Sequence, residues 1–558
     1  MLRLKLLLVL IPTQRLIIKS LCVFLLLSLS IRYPTLAQSD LIANLSLEQR
    51  VAQMFIVNLY GSQLTEAGQN FLTQQQPGGL VLLPENVKSP AEVTGLINTY
   101  QQTITESGGL PLFIAVDQEG GTISHLNNGF TTFPVPMLLT ATGDTNLAER
   151  VGMAMAQEML AVGVNMDLAP VADLETNPNN PIIKRRAFGN DPQMTGPILA
   201  GFIKGMQGAN VMATAKHFPG HGDSSTDSHT GLPVISLDRD RLETVELAPF
   251  RAAIEAGVST VMVAHIWYPA LEPQKDLPAS MSHNIVTGLL REEMGYQGLI
   301  VTDALDMDAI DTVYSYPNAA LSAIKAGVDL VIAAHVSLEA QAAGIQAVVD
   351  TVRSGEIPEE RINESVRRIL AAKERYGLLN WQALDPSTVT QRLDLGEHSK
   401  LVDELFEKGV TIALDKNHVL PIHAGKSVAL IYPGTRIQIP EFCKADGVTV
   451  RPLSIQTSPS TDDIERAKIQ TTLSDLAIVF TQNADADTNE KALVKALPPD
   501  KTIAVALASV YDWTVYPKVS GYVLTYSPLP QAIQAVCGVL YGKLPANGKL
   551  SIKLEGLP

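Results

Sequence analysis

The chain reads as an α/β protein, a (β/α)8 barrel of the TIM type followed by a smaller α/β sandwich. Three observations predict this. At 558 residues the chain is too long for a single hydrophobic core. With 46% apolar and 18% charged residues it has the composition of a globular protein. Between Leu45 and Tyr376, eight short apolar runs alternate with longer amphipathic segments at intervals that suit β-α units.

The runs fall at 54–57, 80–83, 112–116, 164–168, 211–215, 260–264, 299–302 and 330–333. Segments such as 147–162 and 321–326 supply helical spacing between them. Just past the runs stand Asn58, Asp117, Asp167 or Asp173, Lys216 with His217, His265, Asp303 and His335. An ionisable residue in that place is a coincidence once or twice, not repeatedly. Barrels of this kind collect their reacting groups at the carboxyl ends of the strands, so these residues are expected around one mouth. The polar, proline-containing stretch 381–400 reads as a linker between a barrel over 38–380 and a sandwich over 401–558. In the second part apolar runs recur at 428–432, 476–480, 503–507 and 522–526, again with helical stretches between them.

Residues 1–37 read as an export signal. They carry five basic side chains (Arg3, Lys5, Arg15, Lys19, Arg32), no acidic one, an apolar core at 20–31, and Thr35-Leu36-Ala37 as a small-residue cleavage site. That core is short for a membrane span; Arg15 and Lys19 split two apolar blocks, so an uncleaved anchor is the alternative. The expected location is the periplasm, the cell envelope or the exterior. The formal charge is −15, and more negative without the signal, which makes the chain a poor partner for nucleic acid. Beyond Cys22, inside the apolar core, only Cys443 and Cys537 remain. They read as two unpaired buried thiols, with a single bridge as the alternative. No P-loop occurs, Glu119-Gly120-Gly121 is too short for a phosphate cradle, and no cofactor is expected.

The segment 216–229, Lys-His-Phe-Pro-Gly-His-Gly-Asp-Ser-Ser-Thr-Asp-Ser-His, is the densest in groups that bind or transfer protons. Pro219, Gly220 and Gly222 exclude a helix, and the polar content excludes a buried strand. It reads as the loop after the fifth strand. Asp227 stands two residues before His229, a spacing at which a carboxylate in a bent loop can hold one imidazole nitrogen and fix the tautomer. Three readings compete: a general acid/base, a metal site using His217, His221 and His229, and a solvated turn with a helix cap. A metal hydrolase lacks His-x-His or His-Glu-x-x-His here, and a serine hydrolase lacks Gly-x-Ser-x-Gly. A glycan-binding protein without activity needs the pocket but not a paired Asp and His. Glycoside hydrolysis needs one carboxylate facing the anomeric carbon and one proton donor near the glycosidic oxygen. Asp303, at the end of Leu299-Ile300-Val301-Thr302-Asp303, is the candidate carboxylate; the alternative for it is a helix cap, a role that Asp306 fits as well or better.

On these residues the chain resembles family 3 glycoside hydrolases, in particular their β-N-acetylglucosaminidase branch. The run from Lys216 to Gly222 with Asp227-Ser228-His229 matches that branch's signature. Ala115-Val116-Asp117-Gln118-Glu119-Gly120-Gly121, Asp167-Leu168-Ala169-Pro170-Val171, Arg186-Ala187-Phe188-Gly189 and Val301-Thr302-Asp303-Ala304-Leu305 are similar to its other landmarks, in the same order. The resemblance covers the barrel. Tyr541-Gly542-Lys543 with Gly548-Lys549-Leu550 is similar to the close of the family's second domain.

The resemblance implies a retaining exo-β-N-acetylglucosaminidase acting on β-GlcNAc-terminated glycans or muropeptides. Asp303 would be the nucleophile, and His229, oriented by Asp227, the acid/base. Asp117, Arg186, Lys216 and His217 would hold the sugar, with no metal. Alternatives to those roles are charge neutralisation for Lys216 and a solvated basic patch with Lys184 and Arg185 for Arg186. An imidazole, with an ordinary pKa near 6.5, suits a group that gives and takes a proton at neutral pH. Pro219 and the two glycines would let the Asp-His pair swing over a bound substrate. Where the family often has Arg-Val-x-Arg after Asp-Gln-Glu-Gly-Gly, this chain has Thr122-Ile123-Ser124-His125, so His125 is expected to take the second arginine's contact or leave a wider pocket. A family 3 β-glucosidase, a GlcNAc phosphorylase and a wall-glycan-binding pseudo-enzyme are the rival readings.

Overall fold

The computed structural model describes residues 41–228, 231–516 and 518–557. The expected export signal with Cys22, and His229, lie outside the described residues. Eight parallel strands form the barrel: β1 (Phe55–Val57), β2 (Gly79–Leu82), β3 (Phe113–Val116), β4 (Met166–Asp167), β5 (Thr214–Phe218), β6 (Thr260–Val263), β7 (Leu299–Ala304) and β8 (Leu330–Ile332). Each pairs with its neighbour in sequence, and β8 returns to β1. The seam between β4 and β5 is closed by bridges at Met166–Met212 and Val171–Lys216. Parallel strands covered on both faces read as near-continuous apolar runs, which is why all eight were legible.

The helices around the barrel end where their sequence says they should. Helix Thr145–Val162 starts on Asp144, whose side chain accepts from the backbone N–H groups of Asn146 and Leu147, and it stops at Gly163 with φ 97°. Helix Glu359–Arg375 buries Ile362, Val366, Ile369 and Leu370 on one stripe, with Lys373 beside them, and leaves most of its other charged residues outside. β5 runs further than its apolar stretch: its pairing with β6 continues to Phe218 opposite Val263. Lys216 and His217 therefore lie inside a strand rather than beyond it.

The stretch 381–400 is ordered along the barrel. The Asn98 amide bonds the Leu384 carbonyl at 2.6 Å, Arg392 donates to the Ala161 carbonyl, and Val389 and Leu393 are buried. Its end is already part of helix Leu395–Gly409, which packs on helix Pro136–Thr142 of the barrel.

A second sheet follows in the order β9-β14-β13-β12-β10-β11. Its strands are β9 (Thr411–Asp415), β10 (Ser427–Pro433), β11 (Thr449–Ile455), β12 (Leu476–Thr481), β13 (Thr502–Ala506) and β14 (Gly521–Leu524). All pairs are parallel except β9 with β14. β9 and β11 were not among the apolar runs. They are edge strands, half-exposed and rich in polar residues, so the pattern that marks a buried strand is absent. The reading of Cys443 and Cys537 as free thiols is corrected: they form a disulfide, with Cα atoms 4.8 Å apart. The turn that ends helix Ile439–Phe442 brings Cys443 against helix Pro530–Leu540, a proximity that 94 residues of separation conceal. Among the described residues no helix is long and apolar enough to cross a membrane.

Candidate active site

A cavity of about 720 Å³ opens at the carboxyl ends of the barrel strands, lined by Asp117, Glu119, His125, Arg186, Lys216, His217, His221, Asp303, Asp306 and His335 among others. Its floor is a chain of buried charges. Lys216 Nζ lies 2.5 Å from Asp117 Oδ1 and 2.8 Å from Glu119 Oε1. Arg186 grips the same Glu119 with two hydrogen bonds, Nη2 to Oε1 at 2.7 Å and Nε to Oε2 at 2.8 Å. Burial opposes ionisation of Glu119, yet Lys216 and Arg186 hold its carboxyl well below the usual range. Burial likewise works against the charges on Lys216 and Arg186, and their carboxylate partners raise both pKa values.

In the sequence Glu119 reads only as part of a short glycine turn. It sits in a two-stranded hairpin, Gln118–Gly120 with Ile123–Ser124, whose glycines are needed for close approach. A Cβ on Gly120 would meet the Pro134 carbonyl at 2.6 Å, and one on Gly121 would meet the Val135 side chain at 2.4 Å. The signal available was an acid two residues past Asp117, pointing to the same side of an extended chain.

His217 is held by Asp173: its Nδ1 lies 2.6 Å from Asp173 Oδ2, which also accepts its backbone N–H. Asp173 Oδ1 accepts the backbone N–H of His221 at 2.6 Å. Burial, followed by the nearby His217, lowers the His221 pKa to about 4, so this ring is neutral. Its Nε2 pairs with Ser228 Oγ at 3.2 Å, and the Ser228 carbonyl accepts from Ala309 N–H. Both ends of the described loop are thus anchored.

Over 217–222 the loop expected to let the Asp-His pair swing is fastened to its neighbours. Tyr268 donates to the Gly220 carbonyl, and a Cβ on Gly222 would lie 1.5 Å from the Leu174 carbonyl oxygen. Gly222 serves close packing between two loops. Asp227 is half-buried beside Ser228; the His229 that it was expected to orient lies outside the described residues.

Asp303 closes β7 in the cavity wall. Burial would raise its pKa, but His217, His265, the Ala304 N–H and Lys216 together lower it, so the carboxylate is ionised. His265, buried and with its pKa lowered by that burial, props the strand end from behind: its Nε2 bonds the Ala304 carbonyl at 3.0 Å, and its Nδ1 pairs with Ser280 Oγ at 2.8 Å. Asp306 is not a helix cap. Its carboxylate accepts the backbone N–H groups of Ala334 and His335, both at 2.9 Å, and lies 3.2 Å from His335 Nδ1, tying the β8 loop to β7. His125 also faces the cavity, its Nδ1 3.2 Å from the Leu82 carbonyl. Asp117, Arg186, Lys216, His217, His125 and Asp303 therefore share one cavity. Arg186 belongs to a buried ion cluster rather than a solvated patch.

Residues 46–372 match the model of the glycosyl hydrolase family 3 N-terminal domain. The chain belongs to glycoside hydrolase family 3. It is 34% identical to a solved family 3 β-N-acetylglucosaminidase from Paenibacillus sp. str. FPU-7, with a TM-score of 0.80 over 91% of this chain and 99% of that one. It is 28% identical to a protein from Cellulomonas fimi named β-N-acetylglucosaminidase/β-glucosidase, over 91% of this chain and 93% of that one. It is 35% identical to β-hexosaminidase A of Pseudoalteromonas piscicida over 64% of its own length, spanning 62% of that relative.

Proposed function

We propose that this family 3 enzyme is a retaining exo-β-N-acetylglucosaminidase that removes terminal β-linked GlcNAc through a covalent glycosyl-Asp303 intermediate. The observation that carries the reading is the ionised Asp303 carboxylate opening into the same cavity as the Asp117–Lys216–Glu119–Arg186 chain. In this reading Asp117, Lys216, Arg186 and His217 donate and accept hydrogen bonds from the sugar hydroxyls and N-acetyl arm, with His125 at the rim. Asp303 attacks the anomeric carbon as the glycosidic bond breaks, and His229 gives its proton to the departing oxygen. His229, oriented by Asp227, then takes a proton from water, whose oxygen displaces Asp303 and restores the β configuration. The Cys443–Cys537 bridge favours an oxidising compartment, where peptidoglycan fragments are the fitting source of substrate.

The Cellulomonas fimi relative, named for both activities, favours β-glucosides as a second substrate. Initial rates on aryl β-GlcNAc and aryl β-glucoside separate the two, and faster turnover of the glucoside would overturn the main reading. Product analysis with and without phosphate separates hydrolysis from phosphorolysis. Asp303→Asn is expected to abolish turnover, and His229→Ala to slow substrates with poor leaving groups most, since good ones need little protonation. An equal loss across leaving groups would remove His229 from the acid role.

A further inference from the structure

The described residues that line the cavity all lie between Leu83 and His335, so the second domain contributes no wall to it. Yet the loop that carries Arg186, from Asp173 to Asp191, has only one short helical turn of its own, Lys184–Arg186. Loops of that length are held by something beyond themselves, because ordering each residue costs about 1–2 kcal/mol. Its apolar anchors are Ile183 and Ala187 against Val171, and Phe188, buried edge-on to Phe202 at 5.9 Å.

Within the barrel the Arg186–Glu119 pair and the bonds of Asp173 to His217 and His221 also hold this loop, and further holds come from the second domain. Tyr511 Oη donates to Glu175 Oε1 at 3.2 Å, at the base of the loop, where Glu175 N–H bonds the Gly189 carbonyl at 2.9 Å. Gly189 sits so close to the Ser551 carbonyl that a Cβ would come within 2.3 Å of it. Asn190 exchanges two hydrogen bonds with the Lys553 backbone, at 2.8 and 3.1 Å. Trp513 Nε1 fastens the chain end through the Glu555 carbonyl at 3.0 Å. In turn this loop carries the next one: the Asn180 amide donates to the carbonyls of His221 and Gly222, at 2.9 and 3.0 Å.

We infer that the second domain is a brace for the 173–191 loop, with Tyr511 and the 551–553 segment as positioning residues that set Arg186 and, through Asn180, the loop leading to Asp227. The inference rests on the reading of Arg186 as a sugar ligand. The brace is also proton-linked. Burial pushes the Glu175 carboxyl up to about 8, against the weaker opposing effects of Tyr511 and of the Lys184 N–H and charge, and with the help of the Asp173 charge. Asp485 faces Tyr511 from the second domain, and Asp485 and Asp512 face Arg185. Below pH 8 Glu175 is a neutral acid that Tyr511 can bond. Above it the site must bury a carboxylate beside the Asp173 charge, a desolvation cost that outweighs the stronger bond from Tyr511, and the loop loosens.

Tyr511→Phe and Asn190→Ala test the brace at two separate points. Each is expected to raise KM for aryl β-GlcNAc at least about fivefold while kcat changes little, the effect of one lost hydrogen bond in the first variant and two in the second. Hydrogen exchange of 174–190 should accelerate by about the same factor in both. In the parent, KM should climb above about pH 8, and Glu175→Gln, which keeps the acceptor without the charge, should flatten that climb. Unchanged KM and exchange in both variants, a loss confined to kcat, or an unaltered pH profile in Glu175→Gln would each overturn the inference. If the parent turns over no β-GlcNAc substrate, the functional reading fails, and the exchange rates still decide the brace.

Discussion

Glu119 Oε1 accepts from Lys216 Nζ and Arg186 Nη2 at once, at 2.8 and 2.7 Å, in a place where its side chain is 1% exposed. A buried charge with two cationic partners is stable only as a set, and removing one member leaves the others uncompensated. Glu119→Gln puts an amide N–H against a guanidinium or an ammonium. The variant is expected to lose about 3–5 kcal/mol of stability and to bind sugar weakly, with KM rising well beyond any fall in kcat. Denaturant unfolding and steady-state kinetics measure both; an unchanged midpoint would show that the cluster adds no net stability. The sequence made Asp117, Lys216 and Asp303 legible because each interrupts or ends an apolar run. Glu119 and Asp173 were harder to read as site residues, since each acts by holding a neighbour, and a holding role has no spacing of its own.

At the level of elements, the mouth of the barrel is a set of loops fastened in pairs. Asp306 ties the β7 loop to the β8 loop through three contacts, and Asn180 and Leu174 of the β4 loop hold the β5 loop. Sequence pattern finds strands because burial imposes a period on them. It does not find loop pairs, because a backbone carbonyl as acceptor places no demand on residue type. Gly222 is the exception, a glycine required by a neighbour's backbone. Gly222→Ala would set a methyl group 1.5 Å from the Leu174 oxygen, which only movement of one loop can relieve. We expect a loss of about 1–3 kcal/mol, typical of overpacking, and a larger fall in kcat/KM, since Asp227 lies five residues on. Gly220→Ala, which would come no closer than 3.1 Å to the Glu246 side chain but at φ 129°, serves as the comparison in which backbone strain dominates and no backbone clash occurs. Equal activity of Gly222→Ala and the parent would mean that the two loops are not rigidly paired.

On the scale of the whole molecule, the two halves were legible as an apolar pattern that pauses and resumes, while their mutual dependence was not. Barrel and sandwich meet through helix Leu395–Gly409 on helix Pro136–Thr142, through His398 Nδ1 on Glu158 Oε1 at 2.7 Å, and through the clasp on the 173–191 loop. Each contact joins residues hundreds of positions apart, beyond the reach of any local period. The disulfide lies within the sandwich, and its 94-residue span is likewise beyond the reach of a local period; through the sandwich it bears on the halves together. A cross-link between residues 94 positions apart restricts the unfolded chain strongly, and such bridges commonly contribute about 2–4 kcal/mol. Because the sandwich holds the Arg186 loop, loosening the sandwich should reach the proposed sugar site before it reaches the barrel core. Cys443→Ser with Cys537→Ser is therefore expected to lower the unfolding free energy by that amount, read as a lower denaturant midpoint, and to raise KM at temperatures just below unfolding, with barrel ellipticity retained. Reduced parent should behave as the double variant does. If both keep the parent's midpoint and KM across the temperature range, the bridge is dispensable and the sandwich draws its stability from its sheet alone.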